Sequence, residues 1–243
     1  MKSLIAAALM AAAPLSVAWA AGQDWNTSFR HDAKSNSVGN PEARVKLTEF
    51  VSYTCPHCAN YAKESDGLMR VGYINSGDVA VEVRPVIRNP VDLAATLVAQ
   101  CGDPKKFFAN HRALMRSQDT WLAKATGATE AQQQRWRAGP IPSRMRAIGG
   151  DLDFYEMMEP FGYSYAEIDQ CLSNETRARQ IVENSNADAA DYGVRGTPSF
   201  AIDGELLEGV HNWPALQNAL TDAGVRAGGE NPANPVQKAP NQP

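Results

Sequence analysis

The chain has 243 residues, a formal net charge of −4 at pH 7, 44% hydrophobic residues and four cysteines. This length allows one large domain, or one domain that carries a substantial insertion. The basic residues form no long stripe, so nothing indicates nucleic-acid binding, and the mildly acidic balance favours a soluble protein.

Residues 1–20 have the layout of a secretory signal peptide. Lys2 is the only charged residue among them, an apolar run follows, and Ala18-Trp19-Ala20 forms a small-x-small pattern at the end. The run contains Pro14 and is barely long enough to span a bilayer, which argues against an uncleaved anchor. We therefore predict cleavage after Ala20 and export to the periplasm, where disulfides form and persist.

A strand-helix-strand unit follows. Alternating polar and apolar residues predict a strand over 44–51, directly before Cys-Pro-His-Cys at 55–58. Pro56 suits the first position of a helix, which places Cys55 at its N-cap edge. A turn at 75–78 and a strand over 79–86 complete the unit, and residues 25–30 are a candidate edge strand. The predicted inward face of the helix consists of Cys58, Tyr61, Ala62, Leu68, Met69 and Gly72.

Residues 90–192 have helical patterns, with predicted helices over 91–100, 104–117, 129–138, 165–172 and 174–192. Strand character returns over 197–202, Asp203-Gly204 predicts a β-hairpin, and residues 213–223 predict a closing helix. The pattern indicates an α/β fold whose halves, 21–89 and 193–226, are separated by a helical insertion at 90–192. Residues 227–243 contain four prolines and predict a disordered tail.

The Cys-Pro-His-Cys sequence is compatible with several kinds of site. Ala59 follows Cys58, which excludes the Cys-x-x-Cys-His motif of c-type haem. A structural zinc site needs four ligands, and because Cys101 and Cys171 stand alone, a metal is disfavoured. A disulfide across two residues closes too small a loop to stabilise the fold much. Dithiol–disulfide exchange is the favoured chemistry, with zinc and a structural staple as open alternatives.

The position of each residue predicts its role in such an exchange. The N-terminal end of a helix presents unpaired N–H groups and a positive dipole, which stabilise a thiolate on Cys55. His57 adds a donor or a positive charge, and a stabilised thiolate makes the disulfide more oxidising. Cys58, one turn inside the helix, is expected to be less accessible and to resolve the mixed disulfide formed at Cys55. Glu49 is either a solvent-facing glutamate or a partly buried carboxylate that moves protons for Cys58.

The sequence resembles the DsbA-like branch of the thioredoxin superfamily. The features that carry this resemblance are EFVSYTCPHC, VRGTPSF, the IDG hairpin and the helical block between them, over roughly residues 40–224. It implies a thioredoxin fold with an inserted all-helical domain, a nucleophilic Cys55, a resolving Cys58 and a cis Pro198 beside the pair. It also implies that Thr197 offers backbone groups to an extended substrate peptide, and that Glu49 is the buried acid beneath the active site.

Two features depart from the oxidase type of this branch. Thr197 precedes the proline, where oxidases often have Val and the disulfide isomerases DsbC and DsbG usually have Thr. Those isomerases carry an N-terminal dimerisation domain, for which the segment before the first strand is too short, so a monomer is favoured. Cys101 and Cys171, both placed in helices of the insertion, are expected to form a structural disulfide worth about 4 kcal/mol, with a second redox pair as the alternative.

The sequence therefore predicts an exported dithiol oxidase that needs no cofactor. Its substrates would be reduced, unfolded secreted proteins, and the resemblance implies reoxidation by a membrane quinone reductase of the DsbB type. The alternatives are a disulfide isomerase or reductase, and a peptide-binding, chaperone-like module in which the cysteine pair is only a staple.

Overall fold

The structure, a computed structural model, describes residues 23–228. The predicted signal peptide, residues 1–20, lies outside the described residues, as does all but the first part of the predicted tail, 227–243. Residues 227–228 belong to a turn in which the Gly228 N–H donates to the Gly72 carbonyl at 3.2 Å. Within residues 23–228, no helix combines the length and apolar character that crossing a bilayer requires.

A mixed six-stranded sheet forms the centre of the fold. Its strands lie in the order β1-β2-β4-β3-β5-β6. The central strand β3 runs parallel to β4 and antiparallel to β5, and the remaining neighbours pair antiparallel. The strands are β1 Phe29–His31, β2 Asn36–Val38, β3 Val45–Val51, β4 Val79–Pro85, β5 Ser199–Ile202 and β6 Glu205–Leu206.

Ten α-helices surround this sheet within the described part of the chain. Eight of them lie between β4 and β5, which is the inserted helical block that the sequence predicts. The helices are α1 Pro56–Leu68, α2 Pro90–Ala99, α3 Phe107–Arg116, α4 Gln118–Thr126, α5 Glu130–Arg137, α6 Ile141–Asp151, α7 Phe154–Met158, α8 Tyr165–Leu172, α9 Glu175–Tyr192 and α10 Trp213–Asp222.

Alternation along β3 separates the two faces of the sheet. The Glu49 side chain faces α1, where it meets Tyr61, whereas the ring of Phe50 faces α9 and lies 4.9 Å from the ring of Tyr192. Trp213 of α10 packs against Tyr61, so α10 covers the same face as α1. Helix α9 therefore belongs to the helical block at its start and covers the sheet at its end.

Helix α2 is the core of the helical block. All residues from Val91 to Ala99 are buried, including the polar Asp92 and Thr96, whose side chains are hydrogen-bonded. It packs against α3, α6, α8 and α9. A largely apolar helix that is buried along its whole length must be enclosed by other elements, and the block gathers around α2 accordingly.

Several sequence-based predictions are confirmed by these elements. The strands at 44–51 and 79–86 are β3 and β4, and the helix begins at Pro56 with Cys55 as its N-cap. Asp203 and Gly204 have φ angles of 51° and 91°, the left-handed conformation that a tight hairpin turn requires. The closing helix and the helix at 165–172 also form as predicted.

Other predictions need correction. The candidate edge strand at 25–30 is instead a 3₁₀ turn, Trp25–Thr27, followed by β1. The turn forms because the Asp24 carboxylate accepts a hydrogen bond from the Asn26 N–H. Leu68 is 48% exposed, so it does not belong to the inward face of α1. The segment at 104–117 begins with a 3₁₀ turn before α3, because Asp103 caps Lys105.

Helices α4, α6 and α7, and strand β2, are not predicted by the sequence patterns. In α6 the pattern is obscured by Gly149 and Gly150, which lower helix propensity. A Cβ atom on Gly149 would lie 2.5 Å from Leu172, so α6 needs this glycine to approach α8. Strand β2 is three residues long and forms through its antiparallel pairing with β4.

Cys101 and Cys171 form a disulfide within the helical block, with their Cα atoms 5.6 Å apart. Cys101 lies just after the end of α2 rather than inside a helix, which corrects the predicted placement, and Cys171 lies in α8. The bond ties the end of α2 to α8. Because both sulfurs are used in it, neither is available as a ligand for a zinc ion at Cys55 and Cys58.

Candidate active site

Cys55 lies where β3 gives way to α1. The chain leaves the strand at Val51, and the Cys55 N–H donates to the Ser52 carbonyl at 3.2 Å to close the turn. Cys55 has the extended conformation of an N-cap residue, with φ −96° and ψ 113°, and Pro56 is the first helical residue. Both Cys55 and Cys58 are free thiols, with exposed fractions of 3% and 0%.

The surroundings of Cys55 favour its thiolate. The pKa of Cys55 is lowered to about 5, mainly by a hydrogen bond from the Cys58 thiol. Burial opposes this effect, whereas the Thr197 side chain and the backbone N–H groups of Cys58 and His57 add to it. Both N–H groups belong to the first turn of α1, and the Cys58 N–H also donates to the Cys55 carbonyl at 3.1 Å. His57 thus contributes through its backbone, while its ring is exposed.

The pKa of Cys58 changes in the opposite direction. Burial inside α1, together with the nearby Cys55 sulfur, raises the pKa of the Cys58 thiol far above its ordinary value. At neutral pH the pair therefore holds one proton, on Cys58, and one negative charge, on Cys55. This asymmetry distinguishes a nucleophilic sulfur from a sulfur that waits as a neutral thiol.

The loop before β5 lies directly beside this pair. The Thr197–Pro198 peptide bond is cis, as the resemblance implies, and the Thr197 carbonyl oxygen lies 3.2 Å from the Cys55 sulfur. That contact suits a protonated thiol, which donates to a carbonyl. The Thr197 hydroxyl oxygen is buried and has no hydrogen-bond partner among the described residues.

Glu49 is buried beneath α1 rather than facing solvent. Its side chain accepts a hydrogen bond of 2.5 Å from the Tyr61 hydroxyl, and only 6% of the residue is exposed. Burial raises the pKa of Glu49 to about 7, although the hydrogen bond from Tyr61 acts in the opposite direction. Tyr61 lies one turn after Cys58 on the same helix, which places this carboxyl group beneath the cysteine pair.

Sequence reasoning missed Asp92, a carboxylate that holds the turn before Cys55. Asp92 is fully buried near the start of α2. It accepts hydrogen bonds from the Ser52 hydroxyl, from the Thr54 N–H and hydroxyl, from the Arg88 N–H and from the Asn89 amide, at 2.8 to 3.3 Å. Burial raises the pKa of Asp92 against these donors, which lower it. The only sequence signal is its position in the first turn of a helix, where an acid is ordinary.

A second missed residue, Gln118, holds the same turn from α4. Its side-chain amide donates to the Tyr53 carbonyl at 2.6 Å and to the Cys55 carbonyl at 3.0 Å. The side chain is fully buried, and its own carbonyl oxygen has no partner among the described residues. The helical block thus fixes the backbone on both sides of Thr54.

Comparison with known proteins identifies the family. A family model described as thioredoxin matches residues 32–222. The chain belongs to the thioredoxin family. A crystal structure of a protein-disulfide isomerase from Novosphingobium aromaticivorans is 42% identical, with a TM-score of 0.75 over 78% of this chain and 96% of that one.

More distant structures agree with the fold alone. Alpha-DsbA1 from Wolbachia pipientis is 16% identical, with a TM-score of 0.61 over 77% of this chain and 89% of that one. BdbD from Bacillus subtilis is also 16% identical, with a TM-score of 0.57 over 83% and 98% of the two chains. The predicted thioredoxin fold with a helical insertion, similar to that of DsbA proteins, is therefore confirmed.

Curated relatives extend beyond the matched region. A protein from Rickettsia typhi, provisionally named a protein-disulfide oxidoreductase, is 28% identical over 182 residues, which are 74% of this chain. The match spans 59% of that relative's length, and a similar share of its Rickettsia prowazekii counterpart.

Proposed function

We propose that this protein is an exported thiol:disulfide oxidoreductase that introduces disulfides into secreted proteins through Cys55 and Cys58. The observation that carries the proposal is the opposed ionisation of the two thiols, with the pKa of Cys55 lowered to about 5 and that of Cys58 raised. The N-terminal segment, residues 1–20, supports export, and the proposed body consists of residues 21–89 and 193–226 around a helical domain at 90–192.

The reaction starts from the oxidised pair. A substrate thiolate attacks the Cys55 sulfur, a mixed disulfide forms, the Cys55–Cys58 bond breaks, and Cys58 leaves and takes up a proton. A second substrate thiolate then attacks the substrate sulfur of the mixed disulfide and expels Cys55 as a thiolate. Two electrons pass from the substrate to the protein. The low pKa of Cys55 favours this last step, because a thiol of low pKa leaves faster.

The same low pKa favours oxidation of the substrate at equilibrium. At pH 7, two pH units above a Cys55 pKa of about 5, ionisation stabilises the reduced pair by about 3 kcal/mol, equivalent to about 60 mV. The pair is thereby more oxidising than two ordinary thiols in the same backbone. In this proposal Glu49 accepts or returns the proton of Cys58, and a membrane quinone reductase of the DsbB type removes the electrons.

A disulfide isomerase is the second candidate. Thr197 before the cis proline favours it, as does the 42% identity to a structure described as a protein-disulfide isomerase. A peptide-binding module with an inert cysteine pair is the third. An isomerase can work through the same Cys55 thiolate, because that thiolate also attacks wrongly formed disulfides.

The reduction potential of the Cys55–Cys58 pair, measured against glutathione, separates these candidates. We expect a strongly oxidising value, together with faster oxidation of reduced ribonuclease than reactivation of scrambled ribonuclease. A reducing value with the opposite preference would establish the isomerase, and a pair inert to glutathione would leave only the binding module. The Cys55→Ala variant is the control for disulfide exchange, and light scattering tests whether the protein is the proposed monomer.

A further inference from the structure

A hollow of about 470 Å³ opens beside Cys55, and we call it the active-site hollow. It lies between the start of α1, the segment after β4 and the loop before β5. Its lining consists of Cys55, Pro56, His57, Val86, Arg88, Val194, Arg195, Gly196 and Thr197. Two of these residues carry a permanent charge, and both charges are positive.

The two arginines have their charged groups free for a partner. Arg88 and Arg195 are exposed, and within residues 23–228 neither guanidinium has an ion pair or a side-chain hydrogen bond. Arg88 uses only its backbone N–H, which donates to Asp92. By contrast, the guanidinium of Arg84 in β4 forms an ion pair with Asp188 at 2.7 Å. Arginine binds carboxylates readily because its donors match their geometry.

No aspartate or glutamate lines the active-site hollow. Asp92 is buried, and its oxygens already accept hydrogen bonds from the turn before Cys55. Glu208 lies in a neighbouring hollow, which shares Arg195 and Gly196 with the active-site hollow. Glu208 does not line the active-site hollow itself. A peptide that approaches Cys55 meets a positive surface.

We propose that Arg88 and Arg195 make this protein prefer substrate segments that carry acidic residues next to the reacting cysteine. The preference rests on the proposed function and names its substrate class. Arg88 follows β4 and Arg195 precedes the cis proline, so two different segments each bring one positive charge to the hollow that Cys55 lines. Complementary charges raise association rates by about 10- to 1,000-fold, and salt weakens the effect.

Three dithiol peptides test the preference. They share one sequence except for two residues on each side of the first cysteine, which are Glu, Gln or Lys. The oxidised full-length mature protein is mixed with each peptide at pH 7, and formation of the peptide disulfide is followed by chromatography. Because neighbouring charges change thiol reactivity, each rate is divided by the rate of the same peptide with hydroxyethyl disulfide.

At low salt we expect the normalised rate of the Glu peptide to exceed that of the Lys peptide at least about 10-fold, and the ratio to fall toward one in about 0.5 M NaCl. The R88E/R195E variant is expected to reverse the order, and R88Q/R195Q to abolish it. The matched control is R30E/R137E, which changes the net charge equally at two exposed arginines outside the hollow. It is expected to keep the wild-type ratio.

Failure of the preference is distinguishable from failure of the proposed function. If the wild-type protein oxidises all three peptides at equal normalised rates, or prefers the Lys peptide, the role of Arg88 and Arg195 is refuted while the oxidase proposal stands. The role is also refuted if R30E/R137E lowers the ratio of the Glu-peptide rate to the Lys-peptide rate as much as R88E/R195E does. If none of the peptides is oxidised, the proposed function itself fails.

Discussion

Burial of Glu49 has a measurable effect on stability. A pKa raised from 4.5 to about 7 means that the folded protein holds the proton more tightly than the unfolded chain does. This contribution is complete below pH 4.5 and is lost as the pH rises through 7. This rise in the pKa of Glu49 corresponds to about 3 kcal/mol of unfolding free energy. The Glu49→Gln substitution removes the titration but keeps an oxygen that accepts from Tyr61.

The measurement compares the Glu49→Gln variant with its Glu49 parent, both in a Cys55→Ser/Cys58→Ser background. This background removes the Cys55 thiol, whose lowered pKa gives stability the opposite slope between pH 5 and 9. Urea unfolding at about pH 4 to 8 yields the free energy of each protein. We expect the advantage of Glu over Gln to fall by about 3 kcal/mol across this range. A constant difference would refute the reasoning, and Glu64→Gln, at an exposed glutamate of α1, serves as the control.

Three further predictions concern the thiols and the turn that carries them. The absorbance of the Cys55 thiolate at about 240 nm should titrate near pH 5. Cys58→Ala should raise the pKa of Cys55 by about one unit or more, because the main stabilising donor is lost, and an unchanged pKa would contradict this assignment. Replacing Cys101 and Cys171 by Ala should lower the unfolding free energy measured in urea by about 4 kcal/mol, since the disulfide closes a loop of about 70 residues. An unfolding free energy equal to that of the wild type would exclude a structural role. Asp92→Ala leaves the donors of the turn without an acceptor. It should lower the unfolding free energy by about 3–5 kcal/mol in the same assay and shift the titration of Cys55. A decrease below about 1 kcal/mol would show that water replaces the carboxylate.

The parts of the site that are predictable from the sequence are those encoded by short segments. Strand alternation before Cys55 and proline at position 56 place the thiol at a helix N-terminus without knowledge of any other element. The cis bond at Thr197–Pro198 follows only from a resemblance that links two segments 142 residues apart. Local patterns leave Glu49 either exposed or buried, and only the resemblance implies its burial, because burial depends on how α1 covers β3.

Asp92 and Gln118 show why the rest of the site escapes prediction. Each is an ordinary residue for its helix, and each acquires its role through hydrogen bonds that span 38 to 65 positions of the sequence. Whether such a side chain points toward the turn depends on the packing of α2 and α4 in the helical block. Local patterns contain no information on that packing, because many helix arrangements satisfy the same apolar period.

Through Asp92 and Gln118, the helical block holds the turn that carries Cys55. The block supplies a buried carboxylate to the donors of Ser52 and Thr54, and a buried amide to the carbonyls of Tyr53 and Cys55. The Cys55 carbonyl also accepts from the N–H groups of Cys58 and Ala59, but the Thr54 N–H depends on Asp92 and the Tyr53 carbonyl on Gln118. Leaving such groups unpaired in a dry environment is costly. The first-turn N–H groups that stabilise the Cys55 thiolate are fixed by the same turn. The ionisation of Cys55 therefore depends on the helical block as well as on the strand and helix that carry the two cysteines.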